Sequence, residues 1–282
     1  GITSKTNKRC SFLKRKYGIK NIYKSYKQMI KDSKIDAFFV VVSAKNNFEV
    51  LSNIIPTKKS FFTEKPVGIN LNQNKKILQL IKKHKNLNMV GLNRRFYSIF
   101  HKGLDIINNN GGLLGFEIHG HERFWQKKHL NKEIKRNWHH VNSIHTIDLL
   151  AFFGGKYLKK NILSKKNKSK KNNNIISNFL FKNGLIGSYS SFWDSPGGWN
   201  IKLYGNKITI VFEPLEKGFV INKNFKIKKI QPSKYDINFK PGYYNQIIEF
   251  KNLLLRSKLE WPAVDIKNYF YSAKLTSDIS NE

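Results

Sequence analysis

Acidic residues are scarce in this chain of 282 residues: 18 Asp+Glu stand against 52 Lys+Arg, a formal charge of +34. Taken alone, so basic a balance points to a polyanionic partner. The lysines, however, are spread over nearly every expected helix and loop, with an excess of Asn, Ile and Phe. That is the pattern of drift in an A/T-rich genome, so they read as solvated faces and no specific nucleic-acid partner is expected. The single Cys10 excludes an internal disulfide and fits a reducing compartment. No apolar run reaches the roughly 18 residues needed to span a bilayer, and no signal-like segment opens the chain, so a soluble, cytoplasmic protein with no membrane partner is expected. His119 and His121 alternate along a strand with His139 and His140 nearby, but no H-E-x-x-H spacing accompanies them and no metal is expected. The phosphate-binding pattern G-x-G-x-x-G occurs nowhere.

What is present is the composition of a folded chain, 40% hydrophobic and 13% aromatic, and long enough for two domains. The first stretch alternates strands and helices. Ile2 reads as the tail of a strand and a basic helix runs to Tyr17 before Gly18, with a short helix over Tyr26–Ile30. Asp36–Ser43 is the clearest strand, a continuous β-branched and aromatic run expected to be covered on both faces. Asn46 or Asn47 can cap the next helix, Phe61-Phe62 is a short strand, Asn72 opens another helix, and Asn88–Leu92 is a further strand. This rhythm means a parallel sheet. Beyond Phe96 the pattern becomes helix, strand, helix and then antiparallel hairpins, with Lys182-Asn183-Gly184 and Gly205-Asn206 as turns and two closing helices from Tyr243 and Asp265. The fold class expected is α/β: an incomplete Rossmann-type parallel-sheet domain over 1–95, then an α+β domain with a largely antiparallel open sheet over 96–282, its final helix able to pack back on the first. The low-complexity tract Lys156–Asn174 reads as a mobile surface loop.

Two stretches carry chemistry. In Phe61-Phe62-Thr63-Glu64-Lys65-Pro66-Val67-Gly68, Pro66 ends a buried strand and leaves Lys65 at its carboxyl end, where ligands of parallel sheets collect. In Trp138-His139-His140-Val141-Asn142-Ser143-Ile144-His145-Thr146-Ile147-Asp148, Asn142 or Ser143 serves as N-cap, and His145 lies in the first turn with Asp148 on the same face. A helix N-terminus disfavours an imidazolium, so His145 is expected to be neutral and able to accept a proton. Trp193, Trp199 and Phe192 read as sheet packing, Trp125 and Trp138 as pocket lining.

Glu64-Lys65-Pro66-Val67-Gly68, Asn93-Arg94-Arg95-Phe96, Asn142-Ser143-Ile144-His145-x-x-Asp148, Ser195-Pro196-Gly197-Gly198-Trp199 and Lys240-Pro241-Gly242-Tyr243-Tyr244-Asn245-Gln246 together resemble the glucose-fructose oxidoreductase and inositol dehydrogenase family, written Gfo/Idh/MocA. The resemblance implies an oxidoreductase passing a hydride between NADP or NAD and a secondary alcohol or ketone of a sugar, sugar nucleotide or polyol. Lys65 would stabilise charge on the reacting oxygen, and His145 would move the proton, oriented by Asp148. It implies cofactor contacts at Ser4, Lys5, Thr6, Ser43, Glu64, Lys65, Pro66 and Asn93, and substrate contacts at Arg94, Trp138, His140, Asn142 and Asp148. A homo-oligomer, dimer or tetramer, is also implied. No carboxylate follows the expected second strand; Ser4, Lys5 and Thr6 stand there and suit the 2′-phosphate of NADP.

The chain departs from the family pattern in two places. The family's aspartate four residues before the histidine is Val141 here, which leaves His140 or Asn142 to orient the base and admits an alternative reading as an inactive relative binding a sugar nucleotide or protein partner. The family's phosphate loop would lie upstream of Gly1, so the chain as given is expected to be truncated at its amino end and to bind dinucleotide poorly.

Overall fold

A computed structural model describes residues 1–166 and 172–281. Helix α1 (Asn7–Tyr17) stops at Gly18, whose φ of 64° supplies the left-handed cap. Ile2 makes a parallel bridge to Ile22, and α2 (Tyr26–Met29) follows. Strands β1 (Ala37–Val40), β2 (Ser60–Glu64) and β3 (Asn88–Gly91) then form a parallel sheet in the order β1-β2-β3. Its crossovers are α3 (Ala44–Ile54) and α4 (Leu71–His84). The register puts Thr63 beside Val90 and Glu64 beside Gly91, so Lys65 and Asn93 emerge on the same rim, at the strands' carboxyl ends.

Local chemistry sets the boundaries, though not always as expected. The strand anticipated over Asp36–Ser43 is shorter, and half of it is bare: Phe39 is 54% and Val41 69% exposed. Among the described residues β1 pairs only with β2 and is thus an edge strand, and Phe39 is covered on one side alone, by the rings of Phe62 and Phe250 at 5.5 and 5.0 Å. Ser43, not Asn46 or Asn47, stands at the start of α3, and Asn70, not Asn72, caps α4 by accepting from the Gln73 N–H at 2.9 Å.

The second sheet has eight strands in the order β11-β10-β9-β8-β4-β7-β6-β5. They are β4 (Leu113–Gly120), β5 (Tyr157–Lys166), β6 (Asn172–Phe181), β7 (Ile186–Phe192), β8 (Trp199–Gly205), β9 (Ile208–Phe212), β10 (Gly218–Asn222) and β11 (Ile227–Ile230). All pairings are antiparallel except β4 with β7. Both expected hairpins occur, β6 to β7 and β8 to β9. The tract Lys156–Asn174 is corrected: most of it is β5 and the start of β6, paired for example at Leu163 with Ile176. Residues 167–171 lie outside the described residues. The ladder accounts for the structure despite the composition, and exposed lysines on an edge strand oppose strand addition by other chains.

Helices α5 (Ser98–Asn108), α6 (Lys132–Arg136), α7 (Ile144–Gly154), α8 (Lys234–Asn238), α9 (Tyr243–Arg256) and α10 (Ile266–Ser280) complete the fold. One face of the eight-stranded sheet packs on Phe100, Phe152 and Phe153, with Phe100 and Phe212 rings 4.7 Å apart. Helix α10 is stitched to everything around it. The Ile266 N–H donates to Asn88 at 2.8 Å, Ser272 to Asp148 at 2.6 Å, and the Tyr271 hydroxyl receives the Tyr157 N–H at 2.9 Å. No described helix is long and apolar enough to cross a membrane.

Candidate active site

The turn that presents Lys65 is pinned by a buried amide. Asn47, expected as a possible helix cap, lies inside α3 and donates through Nδ2 to Thr63 Oγ1 (3.1 Å), the Glu64 carbonyl (2.9 Å) and the Pro66 carbonyl (2.8 Å). It holds the carbonyls of the residues on either side of Lys65. Asn47→Ala is expected to cost about 1–3 kcal/mol, because buried acceptors lose their donor, and a lowered midpoint in urea unfolding checks it.

Lys65 reaches across to the second sheet's helices, and its Nζ donates to the Val141 carbonyl at 2.7 Å. Burial, and then the neighbouring Arg94 guanidinium, bring its pKa down to about 7 against the opposing pull of Glu64 and Glu122.

The residues around Val141 do not form the helix start that the sequence suggested. His139–Ser143 make one π-helical turn that runs directly into α7, and Ser143 is already helical at φ −65°, ψ −19° with no side-chain cap bond. Asn142 and Ser143 instead turn to Glu122, just past β4. Asn142 Nδ2 donates to the two carboxylate oxygens at 2.9 and 3.0 Å, and Ser143 Oγ to one of them at 3.0 Å. His145 therefore lacks a free helix terminus, and its neutrality has another cause. Burial first, then Lys65 and Arg94, push its pKa well below the usual imidazole range. Its Nδ1 is buried with no hydrogen-bond partner, and its ring lies 6.0 Å from that of Trp199.

Adjacent arginines have different tasks. Arg94 stacks 4.7 Å over Trp199, its Nη1 donates to Asn93 Oδ1 at 3.3 Å, and its buried Nε has no partner. Arg95 grips Asp148 with two bonds of 2.7 and 2.8 Å. Asp148 is thus corrected: it is buried against Arg95 and Ser272 and neither orients His145 nor faces a substrate. His140 is corrected likewise, since its Nε2 meets Ser277 Oγ of α10 at 3.0 Å, and burial takes its pKa to about 4.

The structure gathers Lys65, Glu64, Arg94, Asn142 and His145 about one spot. Trp138 is buried close by, under Lys127 and edge-on to Phe124. Asn93 is buried and ties Arg94 to the Pro241 carbonyl at 3.2 Å. Trp199 packs against the core from β8 as expected and also faces Arg94 and His145, while Trp193 is core, 4.3 Å from His139. Pro66 is buried behind Lys65, and Ser43 is exposed at the end of β1. Ser4, Lys5 and Thr6 are exposed ahead of α1, with Ser4 lining a groove of about 430 Å³ between Ile2 and β1. Sequence reasoning missed Glu122, which reads as a solvated charge after a strand; a carboxylate between two aromatic-rich stretches was the available signal.

A dinucleotide fits these residues in part. Around Lys65, the partnerless Nδ1 of His145 and Nε of Arg94 suit a polar reacting group. No glycine-rich turn among the described residues offers amides to a pyrophosphate. Among the described residues no cluster of metal-binding side chains occurs.

Residues 1–92 match the family described as "Oxidoreductase family, NAD-binding Rossmann fold". A myo-inositol 2-dehydrogenase of Thermotoga maritima is 31% identical over 103 residues, 36% of this chain and 30% of that protein. An uncharacterized oxidoreductase, YrbE, of Bacillus subtilis is 32% identical over 91 residues, 32% of this chain and 27% of that protein. The matches thus span less than a third of either relative. Among solved structures, a levoglucosan dehydrogenase in complex with NADH and L-sorbose superposes with a TM-score of 0.78 at 15% identity, over 99% of this chain and 85% of that one. UDP-N-acetylglucosamine 3-dehydrogenase from Acidithiobacillus ferrooxidans gives 0.76 at 11%, over 100% and 88%. These two likenesses establish the fold: a parallel sheet followed by a larger, mostly antiparallel one.

Proposed function

We propose, for a chain that belongs through residues 1–92 to the NAD-binding Gfo/Idh/MocA oxidoreductase family, a dehydrogenase that interconverts a secondary alcohol and a ketone on a sugar, sugar nucleotide or polyol. The observation that carries this reading is the meeting of Lys65 with the His145 helix across the two sheets. Nicotinamide, when bound, supplies the acceptor or donor of the hydride. The chain's own residues handle the rest. Lys65, as ammonium, donates to the reacting oxygen and stabilises the negative charge that develops there. His145, kept neutral by its surroundings, takes the hydroxyl proton in oxidation and returns it in reduction. Arg94, without a carboxylate partner within salt-bridge distance among the described residues, and Trp199 beneath it offer a charged and a stacking contact to the sugar.

Asn93, Glu64 and Ser43 are assigned to the nicotinamide side. Ser4, Lys5 and Thr6 are assigned to the far ribose, with NADP preferred on the strength of Lys5 and the lack of a carboxylate there. Apolar residues exposed on the second sheet, among them Leu114, Leu163 and Ile186, are assigned to pairing between copies.

The test is oxidation by the full-length protein of myo-inositol, levoglucosan and UDP-N-acetylglucosamine, each with NADP and NAD, followed by absorbance of the reduced cofactor. Turnover of at least one, faster with NADP, is expected. Absence of turnover, with no binding of any of the three sugars, overturns the reading.

A further inference from the structure

We propose that Glu122 is the positioning residue of the Lys65–His145 pair: it clamps the π-helical turn whose Val141 carbonyl receives the Lys65 ammonium, and it supplies the negative charge that the side chain at 141 does not. The inference deepens the redox reading and rests on it for its catalytic meaning, although the clamp itself does not.

Three geometric facts carry it. First, Glu122 is only 5% exposed, yet it forms no ion pair within 4 Å among the described residues. A buried carboxylate without a cation partner is costly unless its oxygens are met by donors. Second, the donors that meet it are the side chains of Asn142 and Ser143, the two residues directly after Val141. Fixing these side chains fixes the peptide that precedes them. Third, that peptide's carbonyl is the acceptor for Lys65 Nζ at 2.7 Å. A regular helix would direct this carbonyl along its own axis to a later N–H; the π turn disturbs that pattern. Glu122, Asn142, Val141 and Lys65 thus form one chain of contacts from β4's end to β2's end.

The charges around the pair agree. Lys65 faces Arg94 beyond the end of β3, Glu64 at the end of its own strand, Glu122, and His145 of α7. Arg94 opposes the ammonium, while Glu64 and Glu122 favour it. Glu122 in turn faces Lys127 and Tyr189 as well as Lys65 and Arg94. Burial raises its own pKa, and Asn142, Trp138 and Ser143 pull it back toward the anion. The carboxylate is therefore placed to hold a proton on Lys65 without touching it.

The test uses lysine labelled at Cε and NMR titration of the whole protein without sugar or dinucleotide, Lys65→Ala serving for assignment. Glu122→Gln keeps the shape and removes the charge; it is expected to lower the Lys65 titration midpoint by about half a pH unit, a roughly threefold loss of proton affinity. Amide exchange over residues 139–146 is expected to quicken about tenfold as the clamp weakens. A midpoint and exchange both unchanged overturn the proposal. If Glu122→Gln does not fold, Asn142→Ala cuts two of the carboxylate's bonds with the charge left in place. Faster exchange over 139–146 then supports the clamp, and unchanged exchange overturns it. Because no turnover is read, a protein inactive on all three sugars can still show the shift; the redox reading then fails and the Glu122 assignment stands.

Discussion

Lys65→Met is expected to lower the turnover of any sugar that the protein oxidises by about 100- to 1,000-fold, the loss that follows removal of one donor to a developing oxyanion. KM is expected to change little, since the bond strengthens only as charge builds on the oxygen. The pH dependence follows from the site. Lys65 sits near 7, so the ammonium predominates below that pH and the amine above it. His145 has its pKa pushed well below the usual imidazole range and so contributes no limb at neutral and alkaline pH. The rate of oxidation should therefore fall as pH rises through about 7, and this fall should vanish in Lys65→Met. Full activity of the variant would remove Lys65 from the chemistry. A fall that persists would assign the limb to another group.

Arg95→Ala is expected to destabilise the protein by about 3–5 kcal/mol, as is Asp148→Ala, because each leaves a buried charge unpaired. The pair is almost free of solvent, with side-chain exposures of 8% and 2%, and its two bonds join the turn after β3 to α7. Such a loss is a large share of the roughly 5–15 kcal/mol of a typical domain. Urea unfolding of both variants measures it. Arg95→Met with Asp148→Leu should recover much of the stability, since an apolar pair leaves no stranded charge, only the Ser272 hydroxyl and the Pro262 carbonyl without these partners. Were Asp148 the partner of His145 that the spacing suggested, Asp148→Asn would shift the pH profile of turnover; the structure predicts no shift.

The contrast between Asp148 and Lys65 shows what the sequence could carry. Lys65 was legible because its position depends on local facts, a short buried strand ended by Pro66. His145 lies at the start of α7 and is neutral, as its spacing predicts, but its neutrality comes from burial and the nearby cations rather than from a helix terminus. The π turn over His139–Ser143 extends the helix backward and leaves no N-terminus beside it. Asp148 shares a helical face with His145 in projection, but Arg95, 53 positions earlier, claims it. Three-residue spacing says who can meet and cannot say which distant cation arrives. Glu122 and Asn47 were missed for the same reason, as their partners come from remote segments and their polarity fits a surface equally well. Trp199 packs in its strand as an aromatic residue there usually does; its second contact, with Arg94, comes from a segment 105 positions earlier that no local pattern announces. The lysine-rich β5 was hidden by composition: an edge strand tolerates charge that an inner one would not.

Helix α10 ties β3, α7, the π turn and β5 into a single body through Asn88, Asp148, His140 and Tyr157. On the ribosome this helix emerges only after both sheets have been made. The lysine and histidine rims can thus each take shape early, but they are locked face to face by a segment still to come. Completion of the cavity is accordingly expected late in biosynthesis: a nascent chain halted before Ile266 would hold its two half-sites together only by contacts such as Arg95–Asp148, without the helix that packs on both.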